Sequence, residues 1–262
     1  MGELLYMETI QAKGFSEVIE ALKEIIVEVN FECTPSGIKL IATDSSQCQL
    51  IKLKLYAEKM DTYRCNVDKL LLGIDTSNFY KLIRGVGTND VIILSYDTVD
   101  TSSLRIQIHN SNEEMRKDFS LKLMDIDEQN IHDLDVSKFN TDIIMSSTKF
   151  KSICKEIITI SDTVELLYTD EQLLFNCNGP FASANYKINL KNDGDNKTII
   201  VDTKNKDEIF QGSYSLVSLC QFTKCIKLCP VIHIYLDNSK PLTIMYKTAD
   251  LGEMYLALAP LS

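Results

Sequence analysis

With only three histidines in 262 residues, the chain has little from which to build a hydrolytic triad, and none of the three stands in a recognisable nucleophile arrangement. No Walker loop, His-Glu-x-x-His or Gly-x-Ser-x-Gly string occurs, so the common phosphate-transfer, zinc-protease and hydrolase sites lack their parts. An enzyme is not expected. No apolar run reaches the length of a membrane span, and Met1-Gly-Glu-Leu-Leu-Tyr6 lacks both a signal peptide's basic start and a myristoylation site's Ser or Thr at position six. These absences point to the cytoplasm or the nucleus. Eight cysteines are scattered without a Cys-x-x-Cys, and Cys33, Cys154 and Cys220 fall on apolar stripes as small core residues, which suits a reducing compartment. Cys225, Cys229 and His233, with Cys220 nearby, come nearest to a zinc set. Pro230 interrupts any helix there, and the spacing matches no familiar site. Asp125-Ile-Asp127-Glu128 has the look of a metal-binding acid cluster but lacks an EF-hand's central Gly and spaced ligands. Gly85-Val-Gly87 ends a helix where a phosphate loop would have to begin one. No cofactor or metal is expected.

What is present is organised around the middle, Lys122-Leu-Met-Asp-Ile-Asp-Glu-Gln-Asn-Ile-His-Asp-Leu-Asp-Val136. Phe119 to Leu123 alternates like a strand, and from Asp125 onward acids dilute the apolar residues until neither the helical nor the strand period survives. A strand running into a linker is the reading. Sliding the chain by 135 places Phe15, Val18, Ile19, Leu22 and Ile25 onto Phe150, Ile153, Cys154, Ile157 and Ile160. The same shift carries Phe31, Cys33, Ile38 and Leu40 onto Leu166, Tyr168, Leu173 and Phe175, with no gap. This predicts two tandem copies of one α+β unit: a domain over 1–122, a connecting linker over 123–137 and a second domain over 138–262.

The apolar spacing predicts a first helix from about Gly14 to Val29. A second starts at Thr76 or Ser77, either of which can cap it, and stops near Gly85. A third covers Ser147 to Ile160 and a fourth Ser215 to Lys227. Strands are predicted around Phe31, Ile38 to Ala42, Leu50 to Tyr56, Val91 to Tyr96, Ser103 to Ile108 and Phe119 to Leu123. Lys81 with Arg84, Lys151 with Lys155, and Lys224 with Lys227 form basic pairs at helical spacing on the free faces. Against them stand acids such as Asp97, Asp100, Glu113, Glu114, Asp133, Asp135, Asp170, Glu171, Asp193, Asp195 and Asp207, read as lying in turns, strand ends and the linker, not on the last three helices. A net charge of −10 speaks against a nucleic-acid partner only if the bases and acids are mixed. Sorted by element, they leave basic faces available to phosphate.

Asp61-Thr-Tyr-Arg-Cys65, Asp44-Ser-Ser46, Lys122-Leu-Met-Asp125, Phe150 with Ile153-Cys154, and Pro241-Leu242 followed by Tyr246-Lys247, Ala249-Asp250 and Leu258-Ala-Pro260 resemble the proliferating cell nuclear antigen family of DNA sliding clamps, nearly end to end. The resemblance implies a DNA clamp fold of two similar α+β domains. Three chains would close into a homotrimeric ring with sheets outside and helices lining the bore. It further implies a processivity factor that encircles double-stranded DNA and tethers DNA polymerase, the clamp loader and other replication and repair proteins through short peptides.

Carried over by residue, the DNA-facing set is Lys23, Lys81, Arg84, Lys155 and Lys224, to which the helical spacing adds Lys151 and Lys227. The implied partner-peptide site comprises Thr43, Gln47, Cys48, Leu50, Ile131, Leu134, Pro241, Ala257, Leu258, Ala259 and Pro260. The expected subunit interface pairs the strand carrying Phe119 and Leu121 with one near Ala182 to Ile188 that carries Asn185 and Tyr186. Ser16, Glu17, Ser152 and Val217 stand where the family often has Lys or Arg, and Asp170 where many members carry a ubiquitin-accepting lysine. The alternative is a clamp-fold subunit of a checkpoint-type ring, or a viral processivity factor that does not form a homotrimer.

Overall fold

The computed structural model describes residues 2–110, 115–129, 131, 133–169, 172–190, 199–204 and 208–261. Glu113, Glu114, Asp170, Glu171, Asp193, Asp195 and Asp207 lie outside the described residues. The chain opens with β1 (Glu3–Thr9), α1 (Ala12–Lys23), β2 (Glu28–Thr34), β3 (Gly37–Thr43), β4 (Gln49–Tyr56), β5 (Thr62–Cys65), β6 (Leu70–Asp75), α2 (Thr76–Ile83), β7 (Asp90–Asp97), β8 (Ser103–Asn110) and β9 (Met115–Lys122). It continues with β10 (Thr141–Ser146), α3 (Ser147–Ile157), β11 (Thr163–Thr169), β12 (Gln172–Asn178), β13 (Ser183–Asn189), β14 (Ile199–Thr203), β15 (Phe210–Ser215), α4 (Leu216–Phe222), β16 (Val231–Leu236), β17 (Leu242–Thr248) and β18 (Gly252–Leu258). The order of strands and helices is the same in both halves, so the 135-residue shift marks a structural repeat.

Strand order repeats too. The first half forms the runs β5-β1-β7-β8-β9 and β4-β3-β2-β6; the second forms β14-β10-β16-β17-β18 and β13-β12-β11-β15. In the first half β9 pairs with β8 at one end of its run, and in the second β13 pairs with β12 at one end of its own. The chain divides into two compact units. One holds Met1–Ala42, Ile51–His132 and Lys247–Met254; the other holds Thr43–Leu50, Asp133–Tyr246 and Tyr255–Ser262.

Within the first unit α1 and α2 pack on each other through their apolar stripes. Phe79 meets Phe15 edge-on at 6.0 Å and Phe31 at 6.4 Å, contacts worth about 0.5–1.5 kcal/mol each beyond the area they bury. In the second unit Phe150 packs on Phe175 at 6.4 Å, both at positions the repeat shift aligns with core residues of the first.

Helix boundaries differ from the periodic reading in instructive ways. α1 stops at Lys23, short of the expected Val29, and Ile25 and Ile26 both return their N–H groups to the Leu22 carbonyl in a closing turn. Val29 belongs to β2, opposite Ile74. Ile25, Ile26 and Val27 form a β-branched run that favours leaving the helix, while Val29, Phe31 and Cys33 satisfy the strand period. α2 is capped by Asp75, whose carboxylate accepts from the Asn78 N–H at 2.7 Å; the expected cap Thr76 is buried and donates to the Ile26 carbonyl instead. Ser146 and Ser215 cap α3 and α4 from the ends of β10 and β15 in the same way. α3 ends at Ile157 and α4 at Phe222, followed by a 3₁₀ turn over Thr223–Lys227. Lys224 and Lys227 therefore ride on that turn, not on the helix.

Candidate functional site

In the first unit the basic side chains gather where α1 meets α2. Lys23, at the last turn of α1, reaches over the Tyr80 ring of α2 at 4.9 Å and also pairs with Glu24. On α2, Lys81 is exposed and donates to the Asn78 Oδ1 at 2.9 Å, and Arg84 is exposed at the helix's C-terminal cap. Cations there also suit the negative end of the helix dipole. Lys13, exposed in the first turn of α1, joins this set and was not singled out from the sequence. Ser16 does not belong to it: it is 2% exposed and donates to the Ile83 carbonyl.

In the second unit α3 and α4 pack together. Lys155, Lys224 and Lys227 are exposed and Lys151 is half-buried. The sorting of charge is not complete. Glu156 sits on α3 beside Lys155, where the Tyr186 and Ser152 hydroxyls, each 2.8 Å away, hold its carboxyl below the usual range. Val217, at 52% exposure, presents an apolar surface on α4 where the resemblance led one to look for a cation.

Of the eleven peptide-site residues, all but Ile131 belong to the second unit. The loop from Thr43 to Leu50 is built around Asp44. Its backbone N–H and carbonyl pair with the Gln49 carbonyl and the Gln47 N–H at 3.1 and 3.0 Å, and its carboxylate accepts from the Gln49 N–H at 2.8 Å and from the Ser46 hydroxyl. Partial burial pushes the Asp44 carboxyl up, but the Ser46 hydroxyl and the N–H groups of Gln49, Cys48 and Ser46 outweigh it and hold the group below its ordinary value. Gln47 takes a left-handed backbone with φ 57° to close the turn, leaving Gln47 and Cys48 exposed. Gln49 then ties the loop to α4, donating to the Ser218 hydroxyl at 3.1 Å. From the other side Ala259 donates to the Cys48 carbonyl at 2.9 Å and Leu261 to the Ser213 carbonyl at 2.7 Å.

Leu50, Leu134, Pro241 and Ala259 are half-buried and Pro260 is exposed. Ala257 and Leu258 are 2% and 1% exposed, so they supply floor and backbone, not open side-chain surface. Just past Leu134, Asp135 caps a short 3₁₀ turn and pairs with Lys138 at 3.2 Å, and Phe139 is buried against Tyr235. Ile131, in the first unit, is half-buried, with its N–H on the Gln129 carbonyl.

A depressed carboxyl contributes stability above its unfolded-state value and loses that contribution as pH falls through its folded value. We therefore expect the loop at Gln47 and Cys48 to stay ordered through the ordinary carboxylate range and to loosen only below it, with Asp44→Asn removing the difference. Hydrogen exchange of the Gln49 amide against pH checks this.

On the interface strands, Phe119 is half-buried and Leu121 buried on one face of β9, opposite Ile106 and Leu104 of β8. Asn185 is exposed on β13, and Tyr186 is half-buried with its hydroxyl on Glu156. At the C-terminal end of α2 lies a shallow cavity of about 180 Å³ lined by Gly85, Gly87, Asp90, Ile108, Asn110, Met115 and Lys117. Asp90 braces it, accepting from the Gly87 N–H and the Asn110 amide at 2.8 and 2.7 Å. Lys117 is a further cation that strand alternation alone did not mark. His233, once a zinc candidate, is paired through Nδ1 with Asp142 at 2.9 Å, and Cys225 is buried.

Two tandem repeats with one strand order, helices pairing within each repeat and basic residues on the helix faces define a two-domain DNA clamp fold. The comparisons are specific to it. The N-terminal domain model of proliferating cell nuclear antigen matches residues 4–132 and the C-terminal domain model matches residues 131–261. A relative described as probable DNA polymerase sliding clamp 1 of Paramecium bursaria Chlorella virus 1 is 30% identical over 262 residues, spanning 98% of this chain and 97% of that protein. The chain belongs to the proliferating cell nuclear antigen family.

Proposed function

We propose that this chain works as a non-catalytic DNA sliding clamp, three copies closing around double-stranded DNA and tethering a polymerase and other replication and repair proteins. The observation that carries the ring is the repeat itself. Within the chain β18 lies beside β4, flanked by bonds from Tyr56 to Leu251 and from Ala259 to Cys48. By the repeat, β9 corresponds to β18 and β13 to β4. The β18–β4 neighbour pair thus has a counterpart in β9 of one copy and β13 of the next, each at the end of its run. Open edges of that length are seldom left uncovered.

Clients would be held by the surface of the second unit around the Asp44 loop, Leu134, Pro241 and Ala259-Pro260, and Ile131 of the linker would supply a further apolar contact to them. Basic helix faces would meet the phosphates, loosely enough for the ring to slide.

Sedimentation tests the ring: three chains of 29.7 kDa make about 89 kDa. Phe119→Ala should shift dilute protein toward the single chain, because losing one aromatic per junction costs about 1.5–3 kcal/mol, roughly ten- to a hundredfold in each junction's dissociation constant. Wild-type sedimentation by that variant would mean that the chains join elsewhere.

A further inference from the structure

The linker is not a free tether along its whole length. Leu123 donates to the Ser102 carbonyl and Met124 to the Gly73 carbonyl, both at 2.9 Å, and Met124 and Gly73 form an antiparallel bridge. Two residues on, the Ile126 carbonyl accepts from the Asn30 side-chain amide at 2.9 Å. Two further, Glu128 receives Lys69, which also faces Glu32 at 3.4 Å. That shared pairing with Glu128 first, and Glu32 after it, raises the affinity of Lys69 for its proton. Asn30 and Gly73 stand directly opposite each other on β2 and β6, so the Met124 and Ile126 ties fall around one spot on that sheet.

Gly73 makes the approach possible. A Cβ at that position would lie 2.1 Å from the Met124 carbonyl oxygen, closer than a real Cβ comes to backbone, and 3.2 Å from Cγ1 of Ile126, a tight contact. The second half of the chain repeats part of this arrangement. Gly73 precedes the cap of α2 by two residues and Ser213 precedes the cap of α4 by two, and the Ser213 carbonyl accepts from the Leu261 N–H much as the Gly73 carbonyl accepts from Met124. Crossing of the chain over this strand after the last strand of a run is therefore a feature of the repeat.

We propose that Asn30, Lys69 and Gly73 are positioning residues for client capture: they staple Met124–Glu128 to the first unit, so that only the short stretch beyond Glu128 must be ordered when a client peptide binds. The proposal rests on the reading of Ile131 and Leu134 as client-contacting residues. Its physical basis is entropic. A linker already fixed up to Glu128 surrenders less chain freedom on binding than one free from Leu123 onward. None of the three residues needs to touch the client.

The test uses full-length clamp and a synthetic peptide carrying Gln, an aliphatic residue three positions later and two aromatics beyond that. Asn30→Ala, Lys69→Met and the double variant are compared with wild type by calorimetry and by hydrogen exchange of the Met124 to Gln129 amides. One side-chain hydrogen bond and one exposed ion pair should together give the double variant about tenfold faster linker exchange and about five- to tenfold weaker peptide binding. The loss should appear in the entropy of binding, with the solution mass and the melting temperature little changed. Glu128→Gln, which breaks the Lys69 tie from the linker side, should reproduce the Lys69→Met value. Unchanged or tighter peptide binding in the double variant would overturn the proposal, as would linker exchange equal to wild type. A wild-type clamp that fails to bind the peptide would instead remove the client-contact reading, and the client role of the staple with it.

Discussion

Replacing Ile131 and Leu134 together with serine is expected to abolish binding of a Gln-aliphatic-diaromatic peptide, and with it clamp-stimulated DNA synthesis, while the ring stays intact. Both residues are half-buried apolar groups in a segment otherwise rich in acids. Apolar groups retained in such surroundings point to a surface used for binding. A client presenting its anchors over one helical turn would bury an aliphatic and an aromatic side chain against them, and a few such anchors commonly dominate an interface. Losing two apolar contacts of about 1.5–3 kcal/mol each amounts to a loss of more than a hundredfold in affinity. Calorimetry reads the affinity, sedimentation the ring, and primer extension on singly primed circular template the function. Affinity within a factor of two of wild type would place the client site elsewhere. The charged neighbours Asp133 and Asp135 make a useful control, because their substitution by Asn should cost little.

Changing Lys81, Arg84 and Lys155 to alanine should lower polymerase processivity and flatten the salt dependence of DNA association, without altering assembly. Each lost phosphate contact reduces the slope of log affinity against log salt by about 0.9, so three together remove about 2.7. The three are not equal. Arg84 stands exposed at the end of α2, Lys81 must give up its Asn78 contact at 2.9 Å, and Lys155 has the anionic Glu156 beside it. Arg84→Ala should therefore carry the largest single share and Lys155→Ala the smallest. A slope equal to wild type in the triple variant would put the DNA on another surface.

The repeat was legible because it is written in local periods. Phe15 and Phe150, Phe31 and Leu166, Leu40 and Phe175 all recur at 135 and all are buried, since equal folds need equal apolar spacing. Basic pairs at helical spacing were legible for the same reason, as Lys81 and Arg84 share an exposed face whatever α2 packs against. Periodicity misjudged the end of α1, where Val29 fits the helical and the strand period at once and its pairing with Ile74, 45 positions along the chain, settles the matter. It also passed over Glu156, a single acid on a helix whose neighbours are basic.

Sequence by itself determined the two-copy α+β architecture, the family, the places of the four helices and those of β2, β3, β4, β7, β8 and β9, because these depend on residue type and spacing along the chain. Only the tertiary structure decided that Ser16 turns inward to the Ile83 carbonyl, that Ala257 and Leu258 lie under the surface, and that the linker is tied down through Glu128. Each of these depends on a partner dozens to more than a hundred positions distant, such as Asn30 with Ile126 or Cys48 with Ala259. Hydrogen bonding and burial are satisfied in space, where chain packing brings such partners together, and no local period records which partner a side chain will meet.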